Sequence, residues 1–217
     1  MKLSYYLLKH ADLKALHERV KRDFCTRGLV HHNWNHVVRD LARAVMIGEK
    51  EGANMKIVLA GVLLHDIGRL YSQESEDHYV AGARVAPRYL ADAGFAESEI
   101  DRIVHCVKTH GFREMEVPKT LEARVCYDVD VLSCSVGYIG VARVFDFFMR
   151  EEKMGVKDMV EIPSGRKGSR QDFYTTTGKS VGQEGLEKAR NFWEGLRHDL
   201  NEEERKVKKT IPEYKGD

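Results

Sequence analysis

The segment Gly61-Val62-Leu63-Leu64-His65-Asp66-Ile67-Gly68-Arg69 sets two metal-ligating side chains back to back at the end of an apolar run. Neutral imidazole and carboxylate together suit Zn, Mn, Fe, Co or Ni, and Mg where carboxylates and water dominate the shell. The preceding residues Ile57, Val58, Leu59, Ala60, Val62, Leu63 and Leu64 are apolar on nearly every side of a helix, which marks a central helix. A His and an Asp buried at its end are costly unless something pairs them, and a divalent cation does so. Gly68 is read as the stop of this helix. Arg69, one turn beyond His65 and Asp66, is the nearest fixed cation in sequence.

Further ligands come from elsewhere in the chain. His36 falls in the first turn of a helix expected from about Asn35 to Glu51, where Val38, Leu41 and Val45 recur at helical spacing. The stretch Tyr127-Asp128-Val129-Asp130-Val131-Leu132 offers two carboxylates on a helix starting near Leu121. Positions two apart differ by about 200° around a helix axis, so only one of these aspartates can join a cation shared with the other helices. The apolar face of Val125, Val129, Leu132 and Val136 has Asp128 on one flank and Asp130 on the other, so periodicity does not choose. A metal site of this kind, one or two ligands per helix, is the pattern of a helix bundle.

The elements needed to position these groups are helices throughout, and the fold class expected is all-α. Only 4 prolines interrupt 217 residues, and no alternating strand pattern stands out. Amphipathic helices are expected from about Asp12 to Phe24, from His78 to Ala93 with Asp77 as cap, and from Ser98 to His110 behind a capping-box-like Ser98-Glu99-Ile100-Asp101. Further helices follow from about Leu121 and from Ile139 to Glu152, with Gly137 as the joint between them. Between Gly155 and Gly182 the composition turns to Gly, Ser, Thr and basic residues, which reads as a long loop. Leu186, Ala189, Phe192, Trp193 and Leu196 then mark a closing helix, and the tail from Glu202 to Lys209 is read as solvated.

With 42% hydrophobic and 32% charged residues the chain can bury a sizeable core and carry an ordinary polar surface. Net charge of only +1 supplies no global field for duplex nucleic acid or an anionic membrane. Cys25, Cys106, Cys126 and Cys134 form no CxxC pair, so neither a disulfide framework nor a cysteine metal site is expected, and a reducing cytoplasm is the expected location. The early patch Tyr5-Tyr6-Leu7-Leu8 is too short for a signal or a membrane span.

The order of His36, then His65-Asp66 in a Leu-Leu-His-Asp-Ile-Gly context, then Asp in an Asp-x-Asp-x-Leu segment resembles the HD superfamily of metal-dependent phosphohydrolases over about residues 35–143. Thr177-Gly178-Lys179 before a terminal helix resembles the end of its small, stand-alone members. The resemblance implies an HD-domain helical bundle forming a single domain over 1–217. Its metal-site core would lie at about 35–143, a basic loop and closing helix at about 155–200, and a charged tail at 202–217.

It further implies that His36, His65, Asp66 and Asp130 hold one divalent cation, since HD proteins place the last ligand in an Asp-x-Leu context, which Asp130-Val131-Leu132 supplies. Asp66 would share metal binding with orientation of the attacking water. Charge that builds on the phosphoryl oxygens needs a fixed cation, and Arg69 is the nearest candidate in sequence. His105 and His110 are not adjacent, which departs from the fullest two-metal pattern, so His78 and His110 are assigned to substrate phosphate or ordered water. The substrate implied is a small phosphorylated molecule, foremost a nucleotide. Two other classes stay open: a nucleotide sensor that kept its metal but lost turnover, and a di-iron HD oxygenase.

Two basic features are weighed beside this. Thr177-Gly178-Lys179-Ser180 mimics the end of a P-loop, but position 173 is Phe where that motif needs Gly. Arg166, Lys167 and Arg170 lie in a Gly- and Ser-rich stretch, either as an exposed loop or as a flap that brings charge to a substrate's phosphates.

Overall fold

The computed structural model describes residues 1–73, 76–110, 116–134, 136–161 and 173–215. Among these residues ten α-helices and one 3-10 turn account for the regular structure, and no strand is present. The helices are α1 (Leu3–Lys9), α2 (Ala11–Arg27), α3 (Trp34–Glu51), α4 (Met55–Leu64), α5 (His78–Ala93), α6 (Glu97–Thr109), α7 (Leu121–Cys134), α8 (Gly137–Arg150), α9 (Val156–Glu161) and α10 (Thr176–Thr210). The 3-10 turn, Ile67–Leu70, follows α4.

α4 is the axis of the bundle. Every residue from Ile57 to Leu64 is buried, and α2, α3, α6 and α7 pack around it. Asn54 starts it by accepting the backbone N–H groups of Lys56 and Ile57 at 3.2 and 3.4 Å. Gly61 at its middle has no room for a side chain: a Cβ there would lie 2.8 Å from Cys106 Cβ on α6 and 3.0 Å from Cys126 Sγ on α7. The two helices that carry later site residues thus press directly on the α4 backbone. A second apolar cluster, formed by Val141, Val144, Phe148, Met159, Ala189 and Trp193, joins α8, α9 and α10. Within it Phe145 stacks on Trp193 at 5.0 Å.

Several expectations need correction. Gly68 does not end the central helix, which stops at Leu64 with His65 as its cap residue. Its role is close approach: a Cβ on Gly68 would overlap the carbonyl oxygen of His78 and come within 2.5 Å of Gly82 N. The missing side chain is what lets the first turn of α5 seat against the 3-10 turn. The capping box of α6 is shifted, because Ala96 is the N-cap and Glu99, three residues on, accepts its N–H at 3.2 Å. Tyr5 to Leu8 form part of a short helix, anchored by Tyr6, whose hydroxyl donates to Glu49 Oε1 at 2.8 Å.

The closing helix is much longer than its apolar residues foretell. Thr175 caps it by accepting Gly178 N–H at 2.9 Å, so the P-loop mimic Thr177-Gly178-Lys179 lies in a first helical turn. The charged tail is helical as far as Thr210, with Glu202–Arg205 and Glu204–Lys208 paired at helical spacing along it. No single helix among the described residues is long and apolar enough to cross a membrane.

Candidate metal centre

Three helix ends and two helix faces converge beside the C-terminus of α4. Asn33 caps α3 by accepting the N–H groups of Asn35 and His36 at 2.9 and 3.4 Å, which fixes His36 in the first turn. Asp40, one turn further along, projects from the same face. His65 and Asp66 occupy the break between α4 and the 3-10 turn, and Asp130 and Ser133 come from α7. His78 is the first residue of α5 and His110 the cap residue of α6.

The side chains form two touching groups. In the first, ligand atoms of His36, Asp40, His65 and Asp130 lie within 4.8 Å of one another, and all four residues are buried. The Nε2 atoms of His36 and His65 are 3.0 Å apart. Each imidazole is oriented through its other nitrogen: His65 Nδ1 donates to Val62 O at 2.7 Å, and His36 Nδ1 is 3.2 Å from Ser133 Oγ. This arrangement turns the Nε2 atoms inward, as ligating histidines require. In the second group Asp66, His78 and His110 meet the same 4.8 Å criterion. His110 Nδ1 donates to Val107 O at 2.6 Å, leaving its Nε2 3.2 Å from that of His78.

Asp66 joins the two. Its Oδ2 lies 3.1 Å from His36 Nε2 and 3.2 Å from His65 Nε2, while its Oδ1 lies 3.4 Å from His78 Nε2 and accepts Arg69 Nε at 2.8 Å. Burial opposes ionisation of Asp66, yet Arg69 and His65 outweigh it and hold the carboxyl well below the usual range. Burial also disfavours charge on His65, but Asp66, then Asp130 and Asp40, raise its pKa to about 10. His78 and His110 go the other way. Burial, reinforced by Arg69, holds His78 well below 6.5, and burial beside His65 takes His110 down to about 4.

The donor set fits a divalent cation. Asp40 Oδ2 is buried with no hydrogen bond, 3.3 Å from His36 Nε2 and 3.7 Å from His65 Nε2. An unsatisfied buried carboxylate oxygen aimed at two inward-facing imidazole nitrogens is what a ligand set looks like without its ion. An opening of about 280 Å³ lined by Leu29, Arg69, Ser72, Glu76, Asp77, His78 and Glu151 leads to the Asp66 side of the centre.

Of the residues singled out in the sequence, His36, His65, Asp66, Asp130, Arg69, His78 and His110 are brought together. Asp128 is directed away: its carboxylate accepts Tyr174 N–H and Thr175 N–H, both at 2.8 Å, and the Thr175 hydroxyl at 2.6 Å, fastening α7 to the start of α10. Arg166, Lys167 and Arg170 lie outside the described residues. His105 accepts Lys119 N–H at 3.1 Å and takes no part.

Sequence reasoning missed Asp40, Arg43, Ser133 and His32. The spacing His36-x-x-x-Asp40 on one helix was a usable signal, since it puts both residues on one face. Ser133 and Arg43 become visible only once α3 and α7 are seen to pack. His32 is buried edge-on to the His36 ring at 5.4 Å, and burial next to Arg69 lowers its pKa to about 4.

This helical architecture with a buried His/Asp centre at the break of its central helix defines the HD type of domain. Residues 33–134 match the HD domain family, and that stretch of the chain is an HD domain. It is 31% identical over 120 residues to YpgQ of Bacillus subtilis, a match that covers 54% of this chain and only 57% of that relative. In structure it resembles a predicted HD superfamily hydrolase from an uncultured Thermotogales bacterium, with a TM-score of 0.64 and 21% identity over 92% of this chain and 99% of that one. It also resembles B. subtilis YpgQ in complex with ADP, with a TM-score of 0.64 and 22% identity over 87% of this chain and 95% of that one.

Proposed function

We propose that this protein is a divalent-metal-dependent phosphohydrolase that cleaves a phosphoester or phosphoanhydride of a small molecule, foremost a nucleotide. The observation that carries the reading is the Asp66 carboxylate, with one oxygen facing the His36–His65 pair and the other bound to Arg69. His36, His65, Asp66 and Asp130 would hold the cation, with Asp40 as a further ligand. A bound divalent ion supplies an acidified water and polarises a phosphoryl oxygen. Arg69 is positively charged throughout the physiological range and faces the opening, so it can meet the charge that grows on phosphoryl oxygens. Its hydrogen bond to Asp66 keeps it there before substrate arrives.

His78 and His110, neutral by virtue of their burial, can donate to or accept from a phosphate or an ordered water. A second reading rests on the same two residues: with Asp66 Oδ1 they offer a second set of ligand atoms, which supports a two-cation centre in place of one. The nucleotide assignment draws support from the YpgQ complex with ADP. Metal analysis of the purified protein, followed by a screen of nucleotides and generic phosphoesters for released phosphate or pyrophosphate, tests the reading. Metal without turnover on any phosphorylated substrate would leave a sensor. Iron with oxygen consumption would leave an oxygenase.

A further inference from the structure

α3 carries two arginines one turn apart, Arg39 and Arg43, on the helix that also presents His36 and Asp40. Arg43 Nη1 donates to Asp40 Oδ1 at 2.8 Å and approaches Ser133 Oγ at 3.4 Å, which places it directly behind the metal cluster while its side chain stays 23% exposed. Among the described residues Arg39 has no carboxylate partner, and its Nε is buried without a hydrogen bond. Arg143, on α8, is partly buried, and burial, with the charges of Arg39 and Arg43, lowers its pKa from the ordinary arginine value. Among the described residues it too makes no ion pair. Of the acidic groups facing this cluster, Asp40 is engaged by Arg43, and Cys134 donates its thiol to Asp130 Oδ1 at 3.3 Å.

Like-charged guanidinium groups that feel one another's charge repel, and a buried guanidinium donor with no acceptor is rare in a finished fold. Both features are relieved by one kind of ligand. A tetrahedral oxyanion offers several acceptors to planar guanidinium forks and neutralises their charge. We propose that Arg39, Arg43 and Arg143 form a phosphate-binding subsite beside the metal centre, which holds a phosphate group of the substrate other than the one attacked. The proposal rests on the phosphohydrolase reading for its place in the reaction. The site itself rests on the arginines alone. It lies on the Asp40 side of the centre, whereas Arg69 and His78 line the opening on the Asp66 side.

The test is calorimetric titration of the full-length protein, as purified and after chelation, with methylenediphosphonate, a non-hydrolysable pyrophosphate mimic. The wild type should show saturable binding in both states. Arg39→Gln combined with Arg143→Gln should weaken it tenfold or more in both, and the paired lysine substitutions should recover part of the loss. Because removal of like charges relieves repulsion, the glutamine pair should melt no lower than the wild type. No saturable binding after chelation, or equal affinity in the wild type and the folded glutamine pair, overturns the proposal. If the glutamine pair melts early, equal affinity in the wild type and the lysine pair overturns it instead. Hydrolysis is read separately, so a protein that binds the diphosphonate through these arginines yet cleaves nothing would defeat the phosphohydrolase reading and leave the subsite standing.

Discussion

His36 and His65, 29 residues apart in the chain, bring their Nε2 atoms to 3.0 Å of each other in the buried interior. With Asp40, Asp66 and Asp130 around them, the metal-free centre keeps a proton on His65, whose pKa is raised to about 10.

That proton must leave when a cation binds, because only neutral imidazole ligates. From about pH 6.5, the ordinary imidazole value, up toward the raised pKa, apparent metal affinity should climb roughly tenfold per pH unit for the one proton displaced. The metal-free protein runs the opposite way: the raised pKa stabilises it fully below pH 6.5, and this contribution is lost as pH rises through about 10. Calorimetry of metal binding in buffers of different ionisation enthalpy counts the protons released. A count of zero at pH 7.5 would show that His65 is not protonated in the metal-free centre.

Asp130→Ala should lose metal and activity together, whereas Asp128→Ala should keep metal. Asp128 fastens Tyr174 and Thr175 to α7 through three hydrogen bonds. Its loss strands those donors and should cost about 1–3 kcal/mol of stability. Metal analysis and melting curves of the two variants separate the roles.

Gly68→Ala should destabilise the fold by about 1–3 kcal/mol or more, since a methyl group there overlaps the His78 carbonyl. For a chain of this size that is a fall in Tm of roughly 2–4 °C per kcal/mol. Because α5 must back away, His78 is displaced from Asp66 too. Turnover should therefore drop further than thermal stability alone accounts for. An unchanged Tm would mean that the contact between the turn and α5 is not tight.

Arg69→Ala should lower kcat by about 10²–10³, with metal content preserved. Arg69→Lys should recover only part, because an ammonium cannot serve Asp66 and a phosphoryl oxygen with one planar fork. Steady-state kinetics beside metal analysis checks this. A variant that has lost its metal would assign Arg69 to holding Asp66 in place.

Much of this architecture is legible in the residue pattern. The apolar sweep from Ile57 to Leu64 announces a central helix, and the His65-Asp66 pair at its end announces what the helix is for. The span of α10 was hidden because its first and last turns are held by polar contacts, Thr175 with Asp128 at one end and Glu–Arg and Glu–Lys pairs at the other, which leave no hydrophobic period. Gly68 was misread because a glycine after a helix has two uses, a left-handed stop or a close contact, and only the packing of α5 distinguishes them. Asp40 was passed over because an acidic residue on an amphipathic helix usually faces solvent. Here it is fully buried.

On the proposed reading, the His36–His65–Asp66–Asp130 centre hydrolyses a phosphorylated small molecule through a bound divalent ion. Release of phosphate or pyrophosphate from a nucleotide panel, measured on the protein as purified, after exhaustive chelation, and after return of Mn, Co, Ni, Fe, Zn or Mg, tests it most directly. Turnover should disappear on chelation, return with at least one of these ions, and be absent from metal-depleted Asp130→Ala under every condition. Turnover that persists undiminished after the metal has been removed would contradict it.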